Sequence, residues 1–310
     1  MNTPRHRARP AAPATARSPG AAATAPSRSR QVARGKTRTE ADKKGGAAAN
    51  KKAARPGGRA GPGGPDGPHG RLGLAWAVAT AAVVLAGPVP AGVWMAVHAG
   101  LACVQVERSW ATSARTTLAA AAGAALFAFA CAFGLIGAAV GAAVAASAAA
   151  VTTAGEGALR PRTVGTAVWL GAAAGSLVLA RTMGAVPGLF LLGLVCAYDT
   201  GNYLVGTGAQ NAWEGPAAGI AALGPVTVTA ATIAVPPFVE VGPWLLGALA
   251  AVLTPLGEYA GSALLGRRRG KTNSKTKTRS KKARVPALRR LDALLVVGPL
   301  WVAAAELLRS

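Results

Sequence analysis

Acidic residues are scarce in this chain: 310 residues hold only 11 Asp or Glu against 34 Lys or Arg, a formal net charge of +23. Cysteine is also rare. The three present (Cys103, Cys131 and Cys196) lie inside apolar runs without metal-ligand spacing, which excludes a disulfide framework and reads as small buried hydrophobes. Histidine numbers three. His6 and His69 fall in a polar tail, and His98 stands alone in an apolar run, which suits a helix–helix hydrogen bond better than a metal site. The scarcest feature is charge in the middle of the chain. Residues 72–265 carry 5 basic and 6 acidic side chains, whereas residues 1–71 carry 16 basic and 3 acidic, and residues 266–310 carry 13 and 2. Water-soluble domains run near one quarter charged, so this middle excludes an ordinary soluble domain. It also excludes a nucleic-acid-binding globule, because the basic residues lie outside the apolar part.

Ala, Gly and Leu fill that middle. We expect spans at 72–86, 90–106, 116–133, 134–152, 163–183, 186–206, 216–236, 241–265 and 290–308, giving an all-α fold: a polytopic integral membrane bundle of about nine transmembrane helices. Gly137/Gly141 and Gly171/Gly175 stand at the four-residue spacing that lets helix backbones approach closely. Residues 1–70 are Ala, Pro, Gly, Ser, Arg and Lys with almost no large apolar side chain, a composition expected to be a disordered basic tail that is not a secretory signal. Residues 71–310 form the transmembrane domain, with a basic loop at 266–289. The linkers 107–115, 153–162, 207–215 and 266–289 fall on the side of the tail. That side collects the Lys and Arg, so the expected location is the cell membrane, multi-pass, with the tail cytoplasmic and close to anionic lipid headgroups.

A carboxylate in a membrane segment is a candidate functional group. Asp199 and Glu258 lie toward the cytoplasmic ends of their spans, Asp292 at the start of the last, and Glu214 in the cytoplasmic linker between. Glu107, Glu156 and Glu240 read as solvated linker acids. Gly266-Arg267-Arg268-Arg269-Gly270-Lys271-Thr272 imitates a phosphate-binding loop but lacks one residue between its glycines and the preceding strand that motif needs, so it reads as a flexible basic loop.

Four segments together resemble the phosphatidate cytidylyltransferases (CDP-diacylglycerol synthases), which carry Asp-Thr/Ser-Gly-x-Tyr-x-x-Gly, then Trp-Glu-Gly, then Gly-Asp-x-x-Glu-Ser, and Asp-Arg-x-Asp before a closing apolar helix. This chain has Asp199-Thr200-Gly201-Asn202-Tyr203-Leu204-Val205-Gly206, Trp213-Glu214-Gly215, Gly257-Glu258-Tyr259-Ala260-Gly261-Ser262, and Arg290-Leu291-Asp292, in that order over residues 163–308. It departs from the family in lacking the Ser-Pro-Lys-Lys-Thr segment, where Gly208-Ala209-Gln210-Asn211-Ala212 stands, and the glycine-rich segment before the last motif. It also has Glu258 for the Asp and Gly261 for the Glu of the third motif, and Arg289 for the first Asp of the last.

The resemblance implies a nucleotidyltransferase of phospholipid biosynthesis. The phosphate of phosphatidate attacks the α-phosphorus of CTP, giving CDP-diacylglycerol, and pyrophosphate leaves; Mg²⁺ neutralises charge. It assigns Asp199, Glu258 and Asp292 as catalytic, metal-linked carboxylates. Tyr203, Trp213, Glu214, Ser262 and Arg290 become substrate-binding, with Arg290 on phosphate. CTP, phosphatidate and membrane lipids are the implied partners; nucleic acid is not, and a homodimer is compatible. Two readings compete: a catalytically degenerate relative serving as a membrane scaffold, and a transporter, which finds support only in the buried carboxylates.

Overall fold

The computed structural model describes residues 68–154, 160–207, 209, 211, 213–265 and 286–309. The expected tail, the phosphate-loop imitation at 266–272, Glu156, and most of the basic loop and of the 208–212 segment lie outside them. Ten α-helices follow in order among the described residues: α1 (Pro68–Ala86), α2 (Pro88–Ser109), α3 (Ala114–Ala130), α4 (Gly134–Thr152), α5 (Arg160–Thr182), α6 (Ala185–Gly206), α7 (Glu214–Ile233), α8 (Gly242–Leu264), α9 (Pro286–Leu291) and α10 (Leu294–Leu307). There is no strand among them; one isolated bridge joins Phe238 to Arg309.

Each expected apolar run coincides with a helix, but helicity and membrane-crossing length are separate findings. Five stretches are long and apolar enough to cross a bilayer: Pro88–Ser109, Ala114–Thr152, Arg160–Thr182, Ala185–Gly206 and Glu214–Ile233. The apolar part of α1 is only Arg71–Ala86, and α10 is 14 residues long. In α8, Pro255, Gly257, Glu258 and Tyr259 dilute the hydropathy. The last run is also broken: α9 ends at Leu291, and α10 starts after the turn at Asp292 and Ala293, where the Leu295 N–H donates to the Asp292 carbonyl at 3.2 Å.

The 39 residues of Ala114–Thr152 form two helices. A 3-10 turn at Cys131–Phe133 and Gly134 at φ +75°, a conformation that disfavours any side chain, fold α4 back on α3. Small residues hold the hairpin shut: a Cβ on Gly123 would lie 2.9 Å from the Ala145 Cα, and one on Gly141 2.8 Å from the Phe127 Cα. The second expected glycine pair serves the same helix from the other side, with Gly171 against the Phe127 ring and Gly175 against the Cys131 thiol. Phe127 is thus a wedge seated between two glycine notches, an arrangement in which close backbone approach supplies the contact.

Helix α5 is the axis of the bundle. Two thirds of its apolar window is buried, with Leu170, Leu177 and Val178 fully enclosed. At one end, the α1–α2 and α5–α6 turns repeat one device: a glycine at positive φ (Gly87 at 133°, Gly184 at 145°) opens each turn, and a proline (Pro90, Pro187) packs back on it. Arg181 ties the two turns together by donating to the Val84 carbonyl at 2.5 Å, so a cation covers the last turn of α1. Trp301 closes that side, edge-on to Phe190 and Phe238. His98 behaves as its isolation suggests. Its Nε2 accepts from the Trp76 indole at 2.8 Å and its Nδ1–H donates to the Trp94 carbonyl at 2.9 Å, joining α1 to α2. Large apolar side chains such as Leu118, Leu135, Ile136, Val140, Val228 and Val252 point outward, a surface suited to hydrocarbon rather than water.

Gly141→Leu should open the α3–α4 hairpin, because the nearest atom is backbone. Overpacking of this kind costs about 1–3 kcal/mol. In detergent the thermal midpoint is expected to fall by several degrees, whereas Ala143→Leu, on the exposed face two residues on, should leave it unchanged.

Candidate functional site

Antiparallel packing of α6 on α7 and of α8 on α10 brings the segments around Asp199, Glu214, Glu258 and Asp292 to one end of the bundle. Helix α6 carries Asp199, Asn202, Tyr203 and Gly206 at successive i+3 and i+4 positions, so they share a stripe near its C-terminal end. Helix α7 begins at Glu214, directly beside that stripe. A Cβ on Gly215 would lie 3.1 Å from the Gly206 Cα, one on Gly201 2.6 Å from the Ala218 carbonyl, and one on Gly219 2.7 Å from the Tyr198 ring. Glu258 lies in the last two turns of α8.

Asp292 enters from the opposite direction. The turn between α9 and α10 seats its backbone carbonyl against Gly257 and its carboxylate against Gly261, both on α8. A Cβ at either glycine would meet an Asp292 oxygen. Gly261, having no side chain, leaves a notch that receives the carboxylate of Asp292.

Asp199, Glu258 and Asp292 lie within one another's electrostatic reach, and Arg289 acts on all three; Arg290 acts on Asp199. Arg290 leans on α1, its guanidinium 3.1 Å from where a Gly73 Cβ would stand. Glu258 accepts a hydrogen bond from the Asn202 side-chain amide. Two polar atoms here are buried without a hydrogen-bond partner: Asp292 Oδ1 and the hydroxyl of fully buried Tyr198, which feels the charges of Glu258 and Asp199. A buried polar atom left without a partner is costly.

The remaining expected site residues spread around this core. Trp213 is 67% exposed at the α6–α7 linker, Glu214 is exposed, and Tyr203 is half-buried. Ser262 is exposed and its hydroxyl donates to the Glu258 carbonyl at 2.8 Å, so its proton is committed to its own helix and its oxygen remains as an acceptor. Among the described residues, no three His, Cys, Asp or Glu side chains converge closely enough to cage a metal ion. A hard cation such as Mg²⁺ does not require such a cage, since it commonly takes one or two carboxylates and completes its shell with water and phosphate oxygens. The open Oδ1 of Asp292, beside Asp199 and Glu258, offers oxygen donors of that kind.

One expectation is corrected. Glu107 is 2% exposed, not solvated. It sits in the last turn of α2, accepts from the Thr163 hydroxyl at 3.4 Å, and faces the charge of Arg162, whose guanidinium stacks over Trp110. Trp110 in turn donates to the Leu264 carbonyl at 2.8 Å at the end of α8, and Gln105 accepts from the Leu288 N–H at 3.2 Å. This polar lattice fastens α2, α5, α8 and α9 at the same end as the acids. A hydrophobic run gives no hint of it, because the partners are more than fifty residues apart in sequence.

Asn202 and Tyr198 are the site groups that the motif residues alone pass over. For Asn202 the signal was available: it lies three residues after Asp199 and so on the same face. Comparison of the chain with family models, with characterised proteins and with solved structures finds no match.

Gly261→Val should evict the Asp292 carboxylate from its notch. The expected result is a thermal midpoint several degrees lower, with Ala263→Val, on the exposed side of the same turn, unchanged.

Proposed function

We propose that the chain is a membrane nucleotidyltransferase similar to the phosphatidate cytidylyltransferases, joining CTP and phosphatidate into CDP-diacylglycerol with release of pyrophosphate. The observation that carries the reading is the placement of Asp199, Glu258 and Asp292, from three separate segments, at one end of an apolar bundle within electrostatic reach of Arg289 and Arg290. Residues for this chemistry need not include a nucleophile, because the lipid phosphate supplies the attacking oxygen. The protein's part is to position two polyanions and offset their charge. Arg290 and Arg289 would meet phosphate. One or two of the carboxylates of Asp199, Glu258 and Asp292 would hold Mg²⁺, which when bound would neutralise phosphate charge. Trp213 and Tyr203, on either side of the α6–α7 linker, offer aromatic faces to the base. Trp-Glu-Gly opens α7, and the N–H groups of a helix start suit phosphate.

The competing reading, a scaffold without turnover, draws on one observation: no three ligating side chains converge among the described residues. The two separate in a single assay. Purified protein given labelled CTP, phosphatidate and Mg²⁺ is expected to form CDP-lipid, and Asp199→Asn to reduce it by at least about 100-fold, the scale of a lost electrostatic contact in a water-poor site. Wild-type signal no higher than that of Asp199→Asn would leave the scaffold reading.

The proposal includes nine crossings of the cell membrane and a cytoplasmic tail. The acid-rich end also carries Arg108, Arg115, Arg160, Arg162, Arg289 and Arg290, while Arg181 and Arg309 stand at the other. This asymmetry supports orienting the acids toward the cytoplasm. With the native cysteines replaced by alanine, Glu240→Cys should react with an impermeant maleimide in intact cells, and Thr207→Cys only after permeabilisation. The reverse pattern would invert the orientation.

A further inference from the structure

The third motif of this chain carries a carboxylate one methylene longer than the family residue, and the first motif carries Asn at its variable position. The structure brings these two residues into contact: the Asn202 amide N–H donates to Glu258 Oε1. On its other side, the Asn202 side-chain oxygen lies against Gly215, where a Cβ would collide with it, and 3.6 Å from where a Gly206 Cβ would stand. Asn202 therefore touches all three helices that bear the first three motifs: α6, of which it is part, α7 through Gly215, and α8 through Glu258.

We infer that Asn202 is a positioning residue that fixes the longer Glu258 carboxylate in the site. The inference rests on the nucleotidyltransferase reading. A Glu side chain has one more rotatable bond than Asp, and a carboxylate that must face a cation or phosphate gains from being held before the ligand arrives. An amide does this without cancelling the charge, as Lys or Arg would. The bond engages one carboxylate oxygen and leaves Oε2 for another partner. Gly215 follows from the same geometry, since only a residue without a side chain allows the amide to reach across from α6 to α8.

A length exchange tests the pair. Asn202→Ala and Glu258→Asp should each lower kcat for CDP-lipid formation about 10–100-fold, the usual cost of losing an outer-shell partner. KM for CTP should stay within about threefold, since uniform binding is untouched. Combining Asn202→Gln with Glu258→Asp restores the summed reach and is expected to recover at least about a tenth of wild-type kcat. A purely structural contact would not give that recovery. A combined variant no better than the weaker single variant overturns the inference. Thermal unfolding in detergent reads the contact independently of turnover, using Asn202→Ala, Glu258→Ala and their combination. Coupled losses, in which the combination falls little below the worse single variant, support it, and additive losses overturn it. If the wild-type protein forms no CDP-lipid, the nucleotidyltransferase reading fails and the unfolding cycle alone decides whether Asn202 holds Glu258.

Discussion

Polar groups inside an apolar helical bundle have no water to fall back on, and this constraint orders the whole molecule. The hydroxyls of Thr80, Thr152, Thr153, Ser176, Thr227 and Thr254 turn back onto carbonyls of their own helices. Longer polar side chains reach across: Trp76 to His98, Trp94 to Thr80, Trp110 to Leu264, Trp169 to Leu295, Arg181 to Val84. Each such bond ties two helices whose apolar surfaces would otherwise slide freely past one another. Against that background four buried side-chain atoms among the described residues are left without a partner: Asp292 Oδ1, the Tyr198 hydroxyl, an Arg162 Nη and the Trp301 indole N–H, the first two of them within electrostatic reach of Asp199 and Glu258.

Small residues are the second half of the same economy. Where a helix must come close, Gly or Ala stands at the contact; where a polar group must enter, a glycine makes the notch. The two uses differ in consequence. Gly123, Gly141 and Gly171 let helices α3, α4 and α5 come into close contact at apolar partners, Ala145 and Phe127. Gly215, Gly257 and Gly261 admit side-chain or backbone oxygens of Asn202 and Asp292, so they set where polar atoms sit at the acid-rich end. High Ala and Gly content thus yields a structural half and a polar half from one vocabulary.

Much of this was legible in the residues. The nine apolar runs, the break between α3 and α4, the glycine pairs at four-residue spacing and the helix-bridging role of His98 all follow from local pattern. The placement of Asp199, Glu258 and Asp292 at one end of the bundle follows from the parity of the helices. Three features were not. Glu107 looks like a linker acid because its partners Arg162 and Thr163 arrive from α5. The break before α10 depends on Gly257 and Gly261 of another helix, which a scan of hydropathy cannot see. The Asn202–Glu258 contact joins positions 56 residues apart, and only their placement on facing helices makes them partners.

The lean of Arg290 on Gly73 has a further implication for how the chain divides. Motif segments occupy the second half, which invites the view that the first half is a passive membrane anchor. Yet the guanidinium beside Asp199 takes its seat on the first helix, and the base of α9 hangs from Gln105 of the second. The acid-rich end is therefore a joint product of both halves, and a fragment beginning at α5 would keep every motif while losing the wall against which its arginine rests.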